Sequence, residues 1–346
     1  MVEVHLKGLK NNMKKKVAIN GFGRIGRIAF RELLDDNELE VVAINDLAPV
    51  EDLFMLLKYD SNFRMFDSKD ISYNDQGIIY KGRLVKVYKE MDASKLPWAS
   101  LKIDVVLECT GHYTNVEDAI SHIRAGAKHV IISAPAKGDC KTIVYNVNHK
   151  KLTGKEEIIS AASCTTNCLA PVLNVLNKAF DVEGGYMTTV HATTNDQTTL
   201  DVVHKKGAAS RRGRSALENI IPTSTGAASA IGKVIPELDG KLKGNAIRVP
   251  VIDGSMIDLT VKVKKHTTID EINETFRVAS NETLKITNDP IVSSDVIGQK
   301  TGALVDASLT DVLDLDDGCE LIKVVAWYDN ELGYTCQMLR TMKVLI

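Results

Sequence analysis

Short apolar runs alternate with helical patterns through the first half of the chain. Runs of strand character fall at 17–20, 41–45, 105–107 and 130–133. Between the first two, Ile25, Ile28, Ala29 and Leu33 recur at helical spacing and predict a helix over 24–35. Such alternation builds βαβ units and a parallel sheet covered by helices. After about residue 164 the texture changes. Runs at 187–190, 246–249, 256–263 and 321–327 read as longer strands with polar alternation, and helices are expected over 169–180 and 269–280. The pattern predicts an α/β chain: a Rossmann-type domain with a parallel sheet covered by helices, followed by an α+β domain with a mixed sheet. Residues 193–214 are polar, basic and aperiodic, and predict a long exposed loop of the kind that usually carries function. Residues 1–13 show no periodicity and read as a loose arm.

A length of 346 residues fits two domains. The composition, 44% hydrophobic and 25% charged, is enough for sizeable cores and argues against wholesale disorder. Lys plus Arg number 43 against 45 Asp plus Glu, so the net charge of −2 gives no field pointing to nucleic acid or membrane. No stretch approaches the roughly 18 apolar residues of a membrane helix. The start of the chain is polar and ends in Lys14, Lys15 and Lys16 without an apolar signal region, which predicts a cytoplasmic protein. Six scattered cysteines make neither a disulfide framework nor a zinc pattern, and no metal site is expected.

Two segments carry chemistry. Gly21-Phe22-Gly23-Arg24-Ile25-Gly26 follows a predicted strand and opens a predicted helix. Alone, the glycine spacing is a weak signal; in this place each glycine has a task. Gly21 permits the tight turn, Gly23 lets the backbone approach a pyrophosphate, and Gly26 lets helix and strand pack closely. The helix N-terminus offers unpaired N–H groups to phosphate. Asp46 ends the second strand 20 residues beyond Gly26, placed to accept ribose hydroxyls and to repel a 2′-phosphate. The cofactor expected is NAD rather than NADP, the competing reading of Asp46 being a simple turn cap.

The second segment, 163–168, lies where the apolar run 158–162 meets the helix 169–180. A cysteine at a helix N-terminus has its thiolate favoured by the dipole and free N–H groups, which singles out Cys164. Cys168, one turn on, points deeper; it and the other cysteines are read as inert. Of eight histidines, His191 ends a strand and enters a hydroxyl-rich loop, placed to meet that cysteine. His122, His129 and His266 are read as surface or structural.

These segments, together with 188–194, 220–228 and Trp327-Tyr328-Asp329-Asn330-Glu331, resemble the phosphorylating glyceraldehyde-3-phosphate dehydrogenases from about residue 16 to the C-terminus. The resemblance implies Cys164 as nucleophile and His191 as the base that lowers the thiol's pKa. It implies Ser163, Thr165, Thr225 and Gly226 around inorganic phosphate, and Thr194, Asp196 and Arg248 around the C3 phosphate of glyceraldehyde 3-phosphate. Asp196 would there orient Arg248 or loop N–H groups rather than touch phosphate, and Arg211, Arg212 and Arg214 would add positive field or a solvated face. For NAD it implies Gly21, Gly23, Arg24, Ile25, Gly26, Asp46, Thr110, Gly111, Ser133, Asn330 on the carboxamide and Tyr334 on the nicotinamide ring. The implied organisation is an NAD domain over 14–163 completed by a C-terminal helix over 330–346, a catalytic domain over 164–329, and a homotetramer. Three positions depart from the family pattern: Phe63-Arg64 replaces His-Gly, Met91 replaces an arginine near the adenine, and the loop 201–211 is longer. Erythrose-4-phosphate dehydrogenase is the near alternative; a semialdehyde dehydrogenase has different motifs, and a mainly binding role finds no basic stripe to support it.

Overall fold

The computed structural model describes residues 14–66, 69–207, 209–315 and 319–346; the expected arm over 1–13 lies outside them. Nine strands form the first sheet: β1 (Lys15–Asn20), β2 (Leu39–Asn45), β3 (Ile71–Asn74), β4 (Gly77–Tyr80), β5 (Arg83–Tyr88), β6 (Val105–Glu108), β7 (His129–Ile132), β8 (Lys141–Thr142) and β9 (Ile158–Ser160). Their order is β3-β4-β5-β2-β1-β6-β7-β9-β8. The pairings β5-β2-β1-β6-β7-β9-β8 are parallel and β3-β4-β5 antiparallel. Helices α1 (Arg24–Leu33), α2 (Val50–Lys58), α3 (Trp98–Leu101) and α4 (Val116–Arg124) cover it. Alternation decides the layers: Val17, Ile19, Val105 and Leu107 face one core, while Ala18 and Val106 face the other. Burial on both faces explains why the central strands read as continuous apolar runs. The chain order reverses between β1 and β6, which opens a crevice at the C-terminal ends of these strands.

The second sheet runs β11-β12-β10-β13-β17-β15-β14, with β16 paired to β17. Its strands are β10 (Val182–His191), β11 (Ile221–Ser224), β12 (Leu242–Arg248), β13 (Ser255–Val263), β14 (Leu284–Thr287), β15 (Ala303–Asp306), β16 (Asp311–Asp314) and β17 (Glu320–Tyr328). It is mixed, as expected: β10-β12 and β14-β15 are parallel, the rest antiparallel. Helices α5 (Cys164–Phe180), α6 (Ala227–Val234) and α7 (Ile269–Val278) seal one face, with α8 (Ser293–Val296) beside β13 and β17. The final helix, α9 (Leu332–Leu345), returns to the first core through Met338, Leu339, Met342 and Leu345.

Several predicted boundaries shift, among them the ends of the helices expected over 24–35 and 269–280, which stop at Leu33 and Val278, and the start of α5. The helix expected from residue 169 starts at Cys164 instead. Thr165, Thr166 and Asn167 read as turn residues, yet all three are buried in the first turn, and Asn167 Nδ2 donates to the Ala161 and Ser163 carbonyls at 2.8 and 3.0 Å. These local side-chain bonds, with Thr165 Oγ1 at 2.9 Å from the Tyr328 hydroxyl, override weak helix propensity here.

Candidate active site

The crevice between β1 and β6 holds a cavity of about 860 Å³ lined by Gly21, Gly23, Asp46, Met91, Thr110 and their neighbours. Gly21 sits at φ +90°, and a Cβ there would come within 2.6 Å of the Thr110 nitrogen. At Gly26 a Cβ would lie 2.1 Å from the Gly21 carbonyl oxygen, so this glycine seats α1 against the loop. Gly23 differs: its absent Cβ would meet nothing within 4 Å, and as N-cap it gives α1 no side-chain cap. The first-turn N–H groups of Arg24 and Ile25 are thus left for an anion in the cavity.

Asp46 combines both readings made of it. It lines the cavity, and its oxygens accept the Phe22 N–H (2.8 Å) and the Ala48 N–H (3.0 Å), fixing the glycine loop and capping a turn. Arg24 bears on the cofactor only through its backbone, because its guanidinium is clamped between Asp60 and Glu331. The Met91 carbonyl is engaged by the Tyr113 hydroxyl at 2.8 Å, so the exposed side chain is what Met91 gives the cavity. Thr110 donates its N–H to Glu108 at 2.8 Å, Gly111 takes φ +74°, and Ser133 donates to the Glu108 carbonyl at 3.0 Å. His122 is fully buried beneath: Trp98 Nε1 donates to its Nδ1 at 3.0 Å, which leaves Nε2–H for Glu108 at 3.1 Å. Its role is structural.

The thiol site lies at the start of α5. Ala162 sits at φ +60°, a left-handed conformation costing about 1–2 kcal/mol for a residue with a Cβ. That turn swings the chain from β9 into the helix, and the buried Tyr334 hydroxyl donates to the Ala162 carbonyl at 3.3 Å. Ser163 caps α5 by accepting the Thr166 N–H at 3.1 Å. Cys164 Sγ is 3.4 Å from His191 Nε2, so sequence places apart by 27 residues meet in space.

His191 ends β10, and parallel register puts it beside Arg248 at the end of β12. Its Nδ1 lies 2.7 Å from the Ala192 carbonyl and 2.8 Å from Arg248 Nη1, which also donates to Ala192 O (2.9 Å) and Thr194 Oγ1 (3.3 Å). Burial first, then the Arg248 charge, push the imidazole down to about 3, so it stands neutral. The thiol departs from expectation. Burial raises its pKa, and the opposing groups are Arg248 and the Thr165 hydroxyl and N–H rather than His191. The resting pair is therefore thiol and neutral imidazole.

Arg248 and Thr194 meet as expected, and Arg248 Nε is buried without a partner, an orphaned donor that suits an anion. Asp196 does not orient Arg248. It binds Arg212 and, at 3.1 Å, Lys205. Charge pairing within the loop wins, and it brings Arg212 Nε to 3.2 Å from Thr223 Oγ1, two residues before Thr225. Arg212 thus faces the segment that leads into Thr225 and Gly226, whereas Arg214 pairs with Asp201 at the surface. Gly226, N-cap of α6, again gives its helix no side-chain cap, and the Thr225 hydroxyl accepts Ala227 N–H at 3.2 Å.

Tyr328 and Ser255 escaped the sequence reading. The Tyr328 hydroxyl links Thr165 Oγ1 (2.9 Å) to Thr189 Oγ1 (2.8 Å), and its ring meets His191 edge-on at 5.9 Å. Ser255 Oγ accepts Ala192 N–H at 3.0 Å and donates to Asn330 Oδ1 at 2.6 Å, leaving the Asn330 amide N–H groups for a carboxamide oxygen. The cross-strand register of β10, β13 and β17 creates these meetings, and no local pattern encodes it.

Comparison with known proteins agrees with this geometry. Residues 15–116 match the family model of the glyceraldehyde 3-phosphate dehydrogenase NAD binding domain, and residues 163–330 that of its C-terminal domain. A glyceraldehyde-3-phosphate dehydrogenase of Clostridium pasteurianum is 56% identical over 95% of this chain and 97% of its own length. That of Clostridium acetobutylicum is 55% identical over 94% and 97%, and that of Streptococcus pyogenes 49% identical over 96% and 98%. A bare glycine loop at one helix start and a thiol–imidazole pair at another thus sit in the two halves of one recognised architecture, and the chain belongs to the glyceraldehyde 3-phosphate dehydrogenase family.

Proposed function

We propose that the protein oxidises D-glyceraldehyde 3-phosphate with NAD and inorganic phosphate to 1,3-bisphosphoglycerate, through a thioester on Cys164. The observation that carries this reading is the 3.4 Å approach of Cys164 Sγ to His191 Nε2, with Arg248 held beside both. NAD, once bound, supplies the hydride acceptor. Gly23 and the uncapped start of α1 suit its pyrophosphate, and Asn330 and Tyr334 its nicotinamide end.

An anionic substrate draws Arg248 away from Nδ1. With Nδ1–H then donated to Ala192 O, the Nε2 lone pair faces the thiol. His191 takes the thiol proton as sulfur bonds to the aldehyde carbon, and the first-turn N–H of Cys164 receives the developing oxyanion. The proton returns to that oxygen, giving the hemithioacetal. His191 removes it again as hydride leaves for the cofactor. Phosphate, held by Ser163, Thr165, Thr225 and Gly226 with Arg212 nearby, attacks the thioester; sulfur leaves and recovers its proton from His191. The C3 phosphate rests on Arg248 and Thr194.

We place the enzyme in the cytoplasm as a homotetramer. The free thiols of Cys109, Cys140, Cys164, Cys168 and Cys336 suit a reducing compartment. Leu200, Val202, Val203, Leu217 and Ile220 expose apolar surface along the long loop and its exit, Val203 at 82%, and Tyr186 does so on the sheet face away from the helices. Such surface suits further copies of the chain; a monomer in light scattering would end that part of the reading.

The decisive test is NADH formation with glyceraldehyde 3-phosphate, with and without inorganic phosphate, beside erythrose 4-phosphate. Sustained turnover should require the triose phosphate, NAD and phosphate together. Faster turnover on erythrose 4-phosphate overturns the substrate assignment.

A further inference from the structure

A cluster of carboxyl groups lies behind Asn330 and takes no part in the steps above. Asp253, between β12 and β13, is buried, and so is Asp329 at the end of β17. Asp253 accepts the Asn330 N–H and Asp329 the N–H of Glu331 next to it, so two buried carboxyl groups grip one stretch of chain, an arrangement that favours a proton held between them. Asp329 accepts three backbone N–H groups, from Glu331 (2.9 Å), Leu332 (2.7 Å) and Gly298 (2.8 Å). Asp253 accepts two, from Gly254 (2.8 Å) and Asn330 (3.2 Å). Asp329, with the extra backbone N–H donor, is the ionised partner, and Asp253 keeps the proton.

The surroundings leave Asp253 no cation. Glu331 faces it from the start of α9, Asp329 from β17, and Asn62 Nδ2 from the turn after α2 at 3.4 Å. Arg24 of α1 joins through Glu331 and is shared with Asp60. Asp253 lies two residues from Ser255, whose Oγ accepts the N–H of Ala192 beside His191, the partner of the Cys164 thiol at the start of α5. The Ser293 carbonyl of α8 closes on Gly254, which takes φ +81° and has no room for a Cβ. Among the described residues no lysine or arginine forms an ion pair with Asp253 or Asp329.

We propose that Asp253, by sharing a proton with Asp329, is a positioning residue that fixes Asn330 in the cofactor cleft and spares the Cys164 sulfur a negative neighbour. One three-residue segment does the gripping. Asp253 takes the Asn330 backbone N–H, and Ser255 holds the Asn330 side chain and the residue after His191. Loss of the shared proton sets Asp253 against Asp329 and Glu331, and relief lies in moving away from Asn330. Burial and those two carboxylates keep the proton on Asp253 up to about 8. The part concerning cofactor rests on the reading of Asn330 given above; the part concerning sulfur does not.

The test compares the full-length protein with Asp253→Asn, which keeps the shape and neutrality of the protonated acid, and with Asp253→Ser should the first fold poorly. Two readouts are taken from about pH 6 to about pH 9.5: the dissociation constant of NAD, and the rate of iodoacetamide alkylation at Cys164 located by mass spectrometry. In the native protein NAD affinity should fall about threefold or more above pH 8, and alkylation should lag; in the variant affinity stays flat and alkylation at high pH is several-fold faster. Parallel profiles in both readouts overturn the proposal. Alkylation needs no cofactor, so absence of NAD binding at every pH would count against the cofactor reading while the thiol profiles still judge Asp253.

Discussion

Two helices in this protein begin directly after a parallel strand, and they use their N-termini in opposite ways. The start of α1 is bare: Gly23 caps nothing, projects nothing, and leaves backbone N–H groups open to a large cavity. The start of α5 is occupied: Ser163 caps it, Ala162 is forced into a left-handed turn before it, and the first residue is Cys164, the proposed nucleophile. The same dipole serves a diffusible anion in one case and a resident sulfur in the other. Closure has a cost. Burial raises the Cys164 thiol despite the helix start and Arg248, so in the proposed mechanism activation waits for a proton transfer to His191.

The widest gap between the two ends should appear on removing the sulfur. Cys164→Ser should lower NADH formation on the order of 10⁴-fold or more, with NAD affinity changed little, because the nucleophile belongs to α5 alone. A matching loss of NAD affinity would break the separation. Stopped-flow turnover and a fluorescence titration of NAD measure the two.

Next in size is His191→Asn, with a loss of about 10²–10⁴-fold in kcat. It also carries a pH signature. The folded imidazole titrates at about 3 against its ordinary 6.5. Between those values the unfolded chain binds a proton that the folded chain refuses, so stability rises with pH across that window and is fully present above 6.5. Thermal melts should show the native Tm dropping on acidification toward about pH 4 by several degrees more than the variant's. Equal drops would mean that His191 is not held neutral by burial.

The glycine loop offers the converse experiment. Gly26→Ala pushes a Cβ into the Gly21 carbonyl and should cost about 1–3 kcal/mol of stability along with NAD affinity. Gly23→Ala meets no protein atom within 4 Å, so stability should hold while NAD affinity falls about tenfold. Urea unfolding beside NAD titration separates the two, and an unchanged affinity in Gly23→Ala would show that the bare helix start is not where the pyrophosphate rests.

The α1 end was readable in the sequence because everything it needs is local: glycines at fixed offsets, a strand before, a helix after, an acid 20 residues on. The α5 end was half readable. Cys164 and His191 stood out by position, but the helix start was missed by five residues because buried polar side chains drew their hydrogen bonds from elsewhere. Tyr328 and Ser255 were missed as site residues, and Arg212 was read only as positive field or a solvated face, for a related reason. They reach the site through strand register or through a loop ion pair with Asp196, and neither leaves a periodic trace. The antiparallel strands β3 to β5 are short, and β3 has little buried apolar surface to mark it.

The smallest expected effect concerns what steadies the bare helix start. Asp60 Oδ1 accepts the N–H groups of Asn62 (2.9 Å) and Phe63 (3.0 Å), and the next residue, Arg64, is driven to φ +62°. The family pattern places glycine there, and a side chain at that φ costs about 1–2 kcal/mol. Glycine recovers this strain and gives back roughly 0.5–1 kcal/mol in unfolded-state entropy. Arg64→Gly should therefore raise stability by about 0.5–1 kcal/mol in urea unfolding. NAD affinity should not change, since Asp60 still clamps the Arg24 guanidinium at the first residue of α1. A fall in affinity alongside the gain in stability would show that the open end of α1 depends on a stiff Asp60 turn as well as on its N–H groups, and that the bare terminus, like the capped one, is held in place from outside its own helix.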